Sequence, residues 1–369
     1  MTSHWTASHV AAIDPKTTPN APLFSKPEPL LPGIDLWDYW PVQEEDGSQA
    51  VIAGGSLFIL LSAPAHLDPD ARHGMARLRL MHRVGDRWRD LGLLFKADFS
   101  PGSREWSGSA IISPDHGVVT LYYTVAGTRG EDVVSFSQRL FQTQADLIVE
   151  GDAIAFSAWS QPIEMLVPDG IHYERDMVGG GAIGTIKAFR DPAFFRDPAD
   201  DAAYIFFAAS LVQSTSFWNG AVGVARRTQD GLWDALPPLI SADGVNNELE
   251  RPHVIVHDGR YYLFWSTQRK VFADNGPAGP NGLYGMTSDR LAGPWRPING
   301  TGLAFANPPE APFQAYSWFV LPDLTVQSFA DVTGLSRLPA DPAEARRHFG
   351  GSPAPELRLK IQGDRVWLA

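Results

Sequence analysis

Two stretches of this chain repeat the same order of landmarks 62 residues apart, measured from Trp233 to Trp295. In the first, Arg190-Asp191-Pro192 leads into an apolar run, then Tyr204–Phe207, Gly220–Ala225 and Gly231-Leu232-Trp233. In the second, Arg251-Pro252-His253 leads into Val254–Val256, Tyr261–Phe264, Gly282–Met286 and Gly293-Pro294-Trp295. Weaker copies start near Trp40-Pro41, Glu105-Trp106 and Ala315-Tyr316. A unit of about 60 residues that holds four short apolar runs reads as one propeller blade. Five such units fit between residue 31 and the C-terminus. The fold expected is an all-β, five-bladed β-propeller with a central funnel. A pair of β-sandwiches is the alternative, since their strands also recur.

Composition agrees with short strands and many turns. Gly and Pro supply 34 and 30 of 369 residues, and there are 12 Trp, 9 Tyr and 20 Phe. The clearest apolar runs are Ser56–Ser62, Val118–Val125, Tyr204–Ala209, Tyr261–Trp265 and Trp318–Leu321, each bounded by turn-forming residues. Asp341–His348 has the cap and the early Pro342 of one short helix. Residues 1–30, with Pro15, Pro19, Pro22, Pro27 and Pro29, read as an irregular N-terminal arm, and 31–369 as a single propeller domain.

The net charge of −12 would repel nucleic acid and anionic lipid, so neither is an expected partner. With no cysteine, thiolate catalysis and disulfides are excluded. No secretory signal is recognisable at the N-terminus and no apolar stretch is long enough for a spanning helix. Secretion by another route or a cytoplasmic location is expected. No cofactor is expected.

In a propeller, the N-terminal ends of the innermost strands converge on one funnel. Charged motifs stand there in three units: Trp37-Asp38-Tyr39-Trp40-Pro41, Arg190-Asp191-Pro192 and Glu248-Leu249-Glu250-Arg251-Pro252. Three carboxylates from separate blades suit retaining glycoside chemistry: a nucleophile, an acid/base and a group that steadies sugar hydroxyls. Taken singly, each has a plainer reading. Asp-Pro pairs are commonly turns, and Glu250 beside Arg251 suits a surface ion pair. Arg196-Asp197-Pro198, a second Arg-Asp-Pro, reads as a hairpin turn.

Trp-Asp-x-Trp-Pro, Glu-Trp-Ser-Gly-Ser-Ala, Arg-Asp-Pro and Glu-Arg-Pro, in this order, resemble glycoside hydrolase family 68. So do the Tyr-Tyr-Leu-Phe, Gly-Pro-Asn-Gly-Leu-Tyr-Gly and Gln-Ala-Tyr-Ser segments. This is the bacterial levansucrase, inulosucrase and β-fructofuranosidase family of five-bladed propellers, and the resemblance runs from about Leu36 to Asp331. It implies fructosyl transfer from sucrose to water or to sugar acceptors, giving fructo-oligosaccharides or levan. It makes Asp38 the nucleophile, Glu250 the acid/base and Asp191 the transition-state stabiliser. Trp37 and Trp106 would wall the fructose site, Ser107 would stand near the nucleophile, and Arg190 and Glu248 would hold the glucosyl unit. Tyr316 would touch the sugar or the nucleophile. Gln268 stands where many members have Arg or His on the acceptor side, which points to short products. Asn247 stands where calcium-binding members have an aspartate, so no metal is expected, with Asp243 the nearest candidate ligand. Two other functions compete: a related Asp/Asp/Glu furanosidase such as an arabinan-degrading enzyme, and a non-catalytic sugar-binding propeller. Neighbouring carboxylates would raise the pKa of Glu250 while Arg190 and Arg251 would lower it, and the sequence leaves the sign open.

Overall fold

The computed structural model describes residues 1–175 and 186–369. Five antiparallel blades succeed one another along the chain. Their innermost strands are Ile34–Gln43, Arg104–Ile112, Phe189–Arg196, Glu250–His257 and Ala315–Val320. Each pairs with the next strand in sequence: Ser56–Pro64, Val118–Ala126, Ala203–Ser210, Arg260–Thr267 and Thr325–Val332. The longest apolar runs form these second strands in the first four blades, where both faces are covered by neighbouring blades and alternation is lost. Innermost strands pack side by side around the ring, and the fifth blade returns against Ile34–Gln43. A short parallel pairing of Val42 with Ala110 and Gln43 with Ile111 joins the first two blades into one sheet.

The recurring tryptophans pack outer strands. Trp233 opens the outer strand of the third blade, lies edge-on to Tyr122 of the second at 5.9 Å, and donates its Nε1–H to Gln142 Oε1 at 3.0 Å. Trp295 is buried in the cluster shared by the third and fourth blades. The helix Pro342–His348 forms as its cap predicts, with Glu344 N–H donating to Asp341 Oδ1 at 2.7 Å. Arg196-Asp197-Pro198 opens the expected turn, closed by Asp197 N–H to the Ala202 carbonyl.

The N-terminal arm differs from the irregular segment expected. Ser3–His4 adds a parallel strand to the edge of the third blade beside Ile240 and Ser241, and Ala7–Ala11 forms a short helix. Asn20 bridges to Ala306 of the fourth blade. Trp5 drives this. It is 1% exposed and sits edge-on to Trp265 and Tyr284 at 5.4 and 5.2 Å, with its Nε1–H on the Thr301 carbonyl. Burying one large ring outweighs the turn-forming composition around it. Gly302 makes room for it, because a Cβ there would lie 2.8 Å from Trp5 Nε1.

Candidate active site

The same local device recurs in all five innermost strands. Pairing with the second strand slips between Trp37 and Tyr39, Trp106 and Gly108, Arg190 and Ala193, Glu250 and His253, and Tyr316 and Phe319. A bulge adds a residue to one strand and re-aims side chains. The residues inside these bulges are Asp38, Ser107, Asp191-Pro192, Arg251-Pro252 and Ser317-Trp318. Asp191, Arg251 and Ser317 have φ of +62°, +48° and +62°. Non-glycine residues seldom occupy that region, and such backbone strain is held where surrounding structure enforces it. Gly108 is required at its bulge, since a Cβ would collide with the Tyr122 carbonyl oxygen. The Asp-Pro and Arg-Pro steps therefore sit in strands as bulges and not in free turns.

The bulges open onto a cavity of about 410 Å³. Every catalytic and sugar-binding residue singled out from the sequence lines it: Trp37, Asp38, Trp106, Ser107, Arg190, Asp191, Glu248, Glu250, Gln268 and Tyr316. Ser107 donates to Asp38 Oδ2 at 2.6 Å and fixes that carboxylate. Thr124 Oγ1 accepts from the Asp191 N–H at 2.8 Å, and the Arg251 N–H donates to Asp191 Oδ2 at 3.2 Å. Tyr316 donates its hydroxyl to Glu250 Oε2.

Arg190 is shared among three carboxylates. Its Nη2 lies 2.7 Å from Glu250 Oε1 and 3.8 Å from Glu248 Oε2, and its Nε lies 3.8 Å from Asp191 Oδ2. Gln138 Oε1 accepts from Nη1 at 3.3 Å and orients the fork. Arg251 brings a second buried guanidinium. It donates to the Ser317 and Tyr39 carbonyls and lies over the Trp40 and Phe319 rings. These two guanidiniums face Asp38, Asp191, Glu248 and Glu250; with Arg72, Lys270, Asp70 and Asp331 also lining the cavity, six carboxylates outnumber four cations, and the surplus negative charge has chemical consequences. Burial, with Glu250 and Asp38 adding, pushes Asp191 up to about 7 against the pull of Arg190. Burial and Glu250 likewise push Glu248 up to about 7. Burial also acts on Glu250, but the Arg190 charge and the hydrogen bonds from Tyr316 and Arg190 outweigh it and hold that carboxyl below its ordinary value. This settles the sign that the sequence left open.

Other cavity residues were not legible in the sequence. Arg72 comes from the 3-10 turn Pro69–Gly74, and Asp331 from the second strand of the fifth blade. Arg72 is 6% exposed and lies over Trp37 at 5.6 Å and Phe349 at 4.6 Å. Burial raises Asp331 to about 6. Neither belongs to a recognisable motif, and only the ring of blades brings them to the funnel.

The residues at the place of the family's calcium carboxylate do not fit a divalent cation. Asn247 offers a neutral amide whose Oδ1 lies 3.3 Å from the Lys187 ammonium, and Asp243 instead accepts from Ser214 Oγ at 2.5 Å. Among the described residues, no group of three or more His, Asp or Glu is arranged to hold a metal.

Comparison with known proteins agrees with this geometry. The family model described as Levansucrase/Invertase, for glycoside hydrolase family 68, matches residues 2–219 and 210–368. Levansucrase LscC from Pseudomonas savastanoi pv. glycinea is 33% identical over 96% of this chain and 87% of its own length. Levansucrase from Rahnella aquatilis is 30% identical over 99% of this chain and 93% of its own. The structure of an inulosucrase from Halalkalicoccus jeotgali bound to kestose superposes with a TM-score of 0.92 at 35% identity, covering 100% of this chain and 95% of that one. With the family's five blades in place and its motif residues gathered around one cavity, this chain belongs to glycoside hydrolase family 68, the levansucrase/invertase family.

Proposed function

We propose that this chain transfers the fructosyl unit of sucrose with retention, through an enzyme-bound fructosyl ester on Asp38. The observation that carries the reading is the meeting of Asp38, Asp191 and Glu250, from three blades, in one cavity, where Arg190 lies against Asp191 and Glu250. The levansucrases and inulosucrase among its relatives support sucrose as donor and fructans as products. The family match favours this reading over an arabinan-degrading one.

In the first half-reaction, an Asp38 oxygen forms a bond to the anomeric carbon of fructose. The bond from that carbon to the bridging oxygen breaks, and the oxygen takes its proton from Glu250 as glucose leaves. In the second, water or a sugar hydroxyl attacks the same carbon, gives its proton to Glu250 and releases Asp38. Two inversions give net retention. Ser107 holds the attacking carboxylate in one orientation. Asp191, with Arg251 behind it, accepts fructose hydroxyls and offsets positive charge on the oxocarbenium-like centre. Trp37 and Trp106 exclude water, which strengthens each of these interactions.

Glu250 needs a proton that Arg190 opposes. Glucosyl hydroxyls that engage Arg190 and Glu248 draw the guanidinium from Glu250, and filling the cavity deepens its burial. Both changes raise its pKa toward that of a working acid. Glucose release from sucrose, compared between wild type and Asp38→Ala, tests the reading. Release by the wild type and its loss in the variant are expected. Equal rates in both would remove Asp38 from the nucleophile's role.

A further inference from the structure

Trp37 and Trp106, the two walls of the fructosyl site, share a neighbour that no motif announces. It is the 3-10 turn Pro69–Gly74, between the second and third strands of the first blade. Trp106 donates its Nε1–H to the His73 carbonyl at 3.4 Å. The Arg72 guanidinium lies over the Trp37 ring, and the His73 imidazole stands edge-on to the same ring, with centroids 6.2 Å apart. Local bonds hold the turn. Asp68 Oδ1 accepts from the Asp70 N–H at 3.0 Å, Arg72 Nη1 donates to the Pro69 carbonyl at 2.8 Å, and the Met75 N–H donates to the Arg72 carbonyl at 3.0 Å.

The His73 ring lines the active cavity. Its Nδ1 lies 3.0 Å from the Asp70 carbonyl oxygen. A carbonyl oxygen only accepts, so Nδ1 carries the proton. In the neutral ring Nε2 is then a bare acceptor, and among the described residues nothing donates to it. Burial and the adjacent Arg72 charge lower the pKa of the ring to about 4, against the pull of Asp70 and Glu250, so the ring is neutral near pH 7.

We propose that His73 is a further sugar-binding residue, whose Nε2 accepts a hydrogen bond from one hydroxyl of the fructosyl unit beside Trp37.

This rests on the fructosyl-transfer reading and adds to it a kind of contact that the other polar groups do not supply. Asp38, Asp191, Glu248 and Glu250 accept as anions, and Arg190 donates as a cation. A neutral acceptor orients a hydroxyl without enlarging the cavity's surplus of negative charge. It also leaves the oxocarbenium-like centre unopposed, whereas an imidazolium at the same place would repel the positive charge that builds there.

Monodeoxy analogues of sucrose, each lacking one hydroxyl, identify the contact through kcat/KM. His73→Asn keeps an amide N–H for the Asp70 carbonyl and removes the acceptor at the place of Nε2. His73→Gln puts an amide oxygen there. Wild type should lose roughly three- to tenfold on one analogue deoxygenated in the fructosyl unit, the usual worth of a neutral hydrogen bond. His73→Asn should lose a similar factor on sucrose, lose nothing further on that analogue, and discriminate against the other analogues as wild type does. His73→Gln should stay within about twofold of wild type on sucrose. Each comparison is a ratio between donors on one protein, so a partly unfolded variant reports the same ratio. An unchanged profile in His73→Asn, or a change confined to analogues deoxygenated in the glucosyl unit, would overturn the proposal.

Long-range ¹H–¹⁵N NMR of the imidazoles reads the tautomer with no turnover, and His73→Asn assigns the resonance. A proton on Nδ1 and none on Nε2 is expected at neutral pH. A proton on Nε2 would overturn the proposal even in an active enzyme. A wild type that releases no glucose from sucrose is the failure of the fructosyl-transfer reading. An active wild type whose donor profile His73→Asn leaves unchanged is the failure of this one.

Discussion

The N-terminal halves of the five innermost strands enclose about 410 Å³, and their C-terminal halves enclose a second cavity of about 310 Å³. Both are lined by the same strands, yet their polar groups are spent differently. In the second cavity, Arg196 pairs with Glu45 at 2.7 Å. His253 Nε2 accepts from the Val320 N–H at 2.8 Å, and burial lowers its pKa to about 3, so the ring stays neutral. Strand pairing runs in regular register from Ala193 through Arg196. In the first cavity, five bulges break the register, and six carboxylates meet three guanidiniums and the Lys270 ammonium. Chemical capacity in this fold comes from bulges that re-aim side chains and from charges left in excess of their partners. The channel itself supplies only the space.

The largest expected difference between the two ends is in rate. Glu250→Gln should lower glucose release from sucrose by roughly 10²–10⁴-fold, the usual contribution of a general acid. On a fructosyl donor with an already acidic leaving group, kcat/KM, which reports ester formation alone, should fall far less. Glu45→Gln, at the other end, should stay within about twofold of wild type on both donors. Steady-state rates on the two donors check this, and comparable losses from Glu45→Gln would erase the distinction.

A second difference is in stability. Asp191 and Glu248 have folded-state pKa values pushed up to about 7, above the value near 4 of an unfolded carboxyl. The folded state then holds more protons than the unfolded one between about pH 4 and 7. Stability from these groups is therefore lost as pH rises through that window. Asp191→Asn and Glu248→Gln should each stabilise the protein at pH 8 by roughly 1–3 kcal/mol and leave it unchanged near pH 4. Glu45→Gln removes a half-exposed pair worth about 0–1 kcal/mol and should be neutral or slightly destabilising at pH 8. Urea denaturation at the two pH values measures each. An active-site variant that loses stability at pH 8 would mean that its charge was already compensated.

Much of this contrast was legible in the sequence. The strands, the order of the blades and the lining of the active cavity follow from local apolar runs and from motifs that each hold their own bulge. What the sequence hid depends on contacts between distant elements. Arg72 is an unremarked residue in a short turn until Trp37 and Phe349 enclose it. Asp331 is one alternating position of an ordinary strand. The arm reads as irregular from its prolines, because nothing near Trp5 in sequence announces the rings it meets in the fourth blade. The sign of the shift at Glu250 rests on where one guanidinium lies among three carboxylates, which spacing along the chain does not specify.

The smallest effect expected lies at the acceptor side. Gln268 lines the cavity and presents a neutral amide. Transfer competes with hydrolysis only when a sugar acceptor is held better than water. Gln268→His and Gln268→Arg should raise the transfer-to-hydrolysis ratio at high sucrose by about two- to fivefold, as a charged donor replaces a neutral one. Product analysis decides between free fructose, short oligosaccharides and polymer. Long polymer from wild type, or an unchanged ratio in both variants, would place acceptor control elsewhere.

The central claim is that Asp38 carries the fructosyl unit while Glu250 moves protons. Glu250→Gln, given an activated fructosyl donor, should form the ester readily and hydrolyse it slowly, because water then lacks its base. Acid quenching followed by mass spectrometry of the intact protein and its peptides reads the outcome. The account predicts one fructosyl unit on the peptide that contains Asp38, and none when Asp38→Asn is added. A fructosyl unit on Asp191, or turnover with no covalent adduct at all, would contradict it.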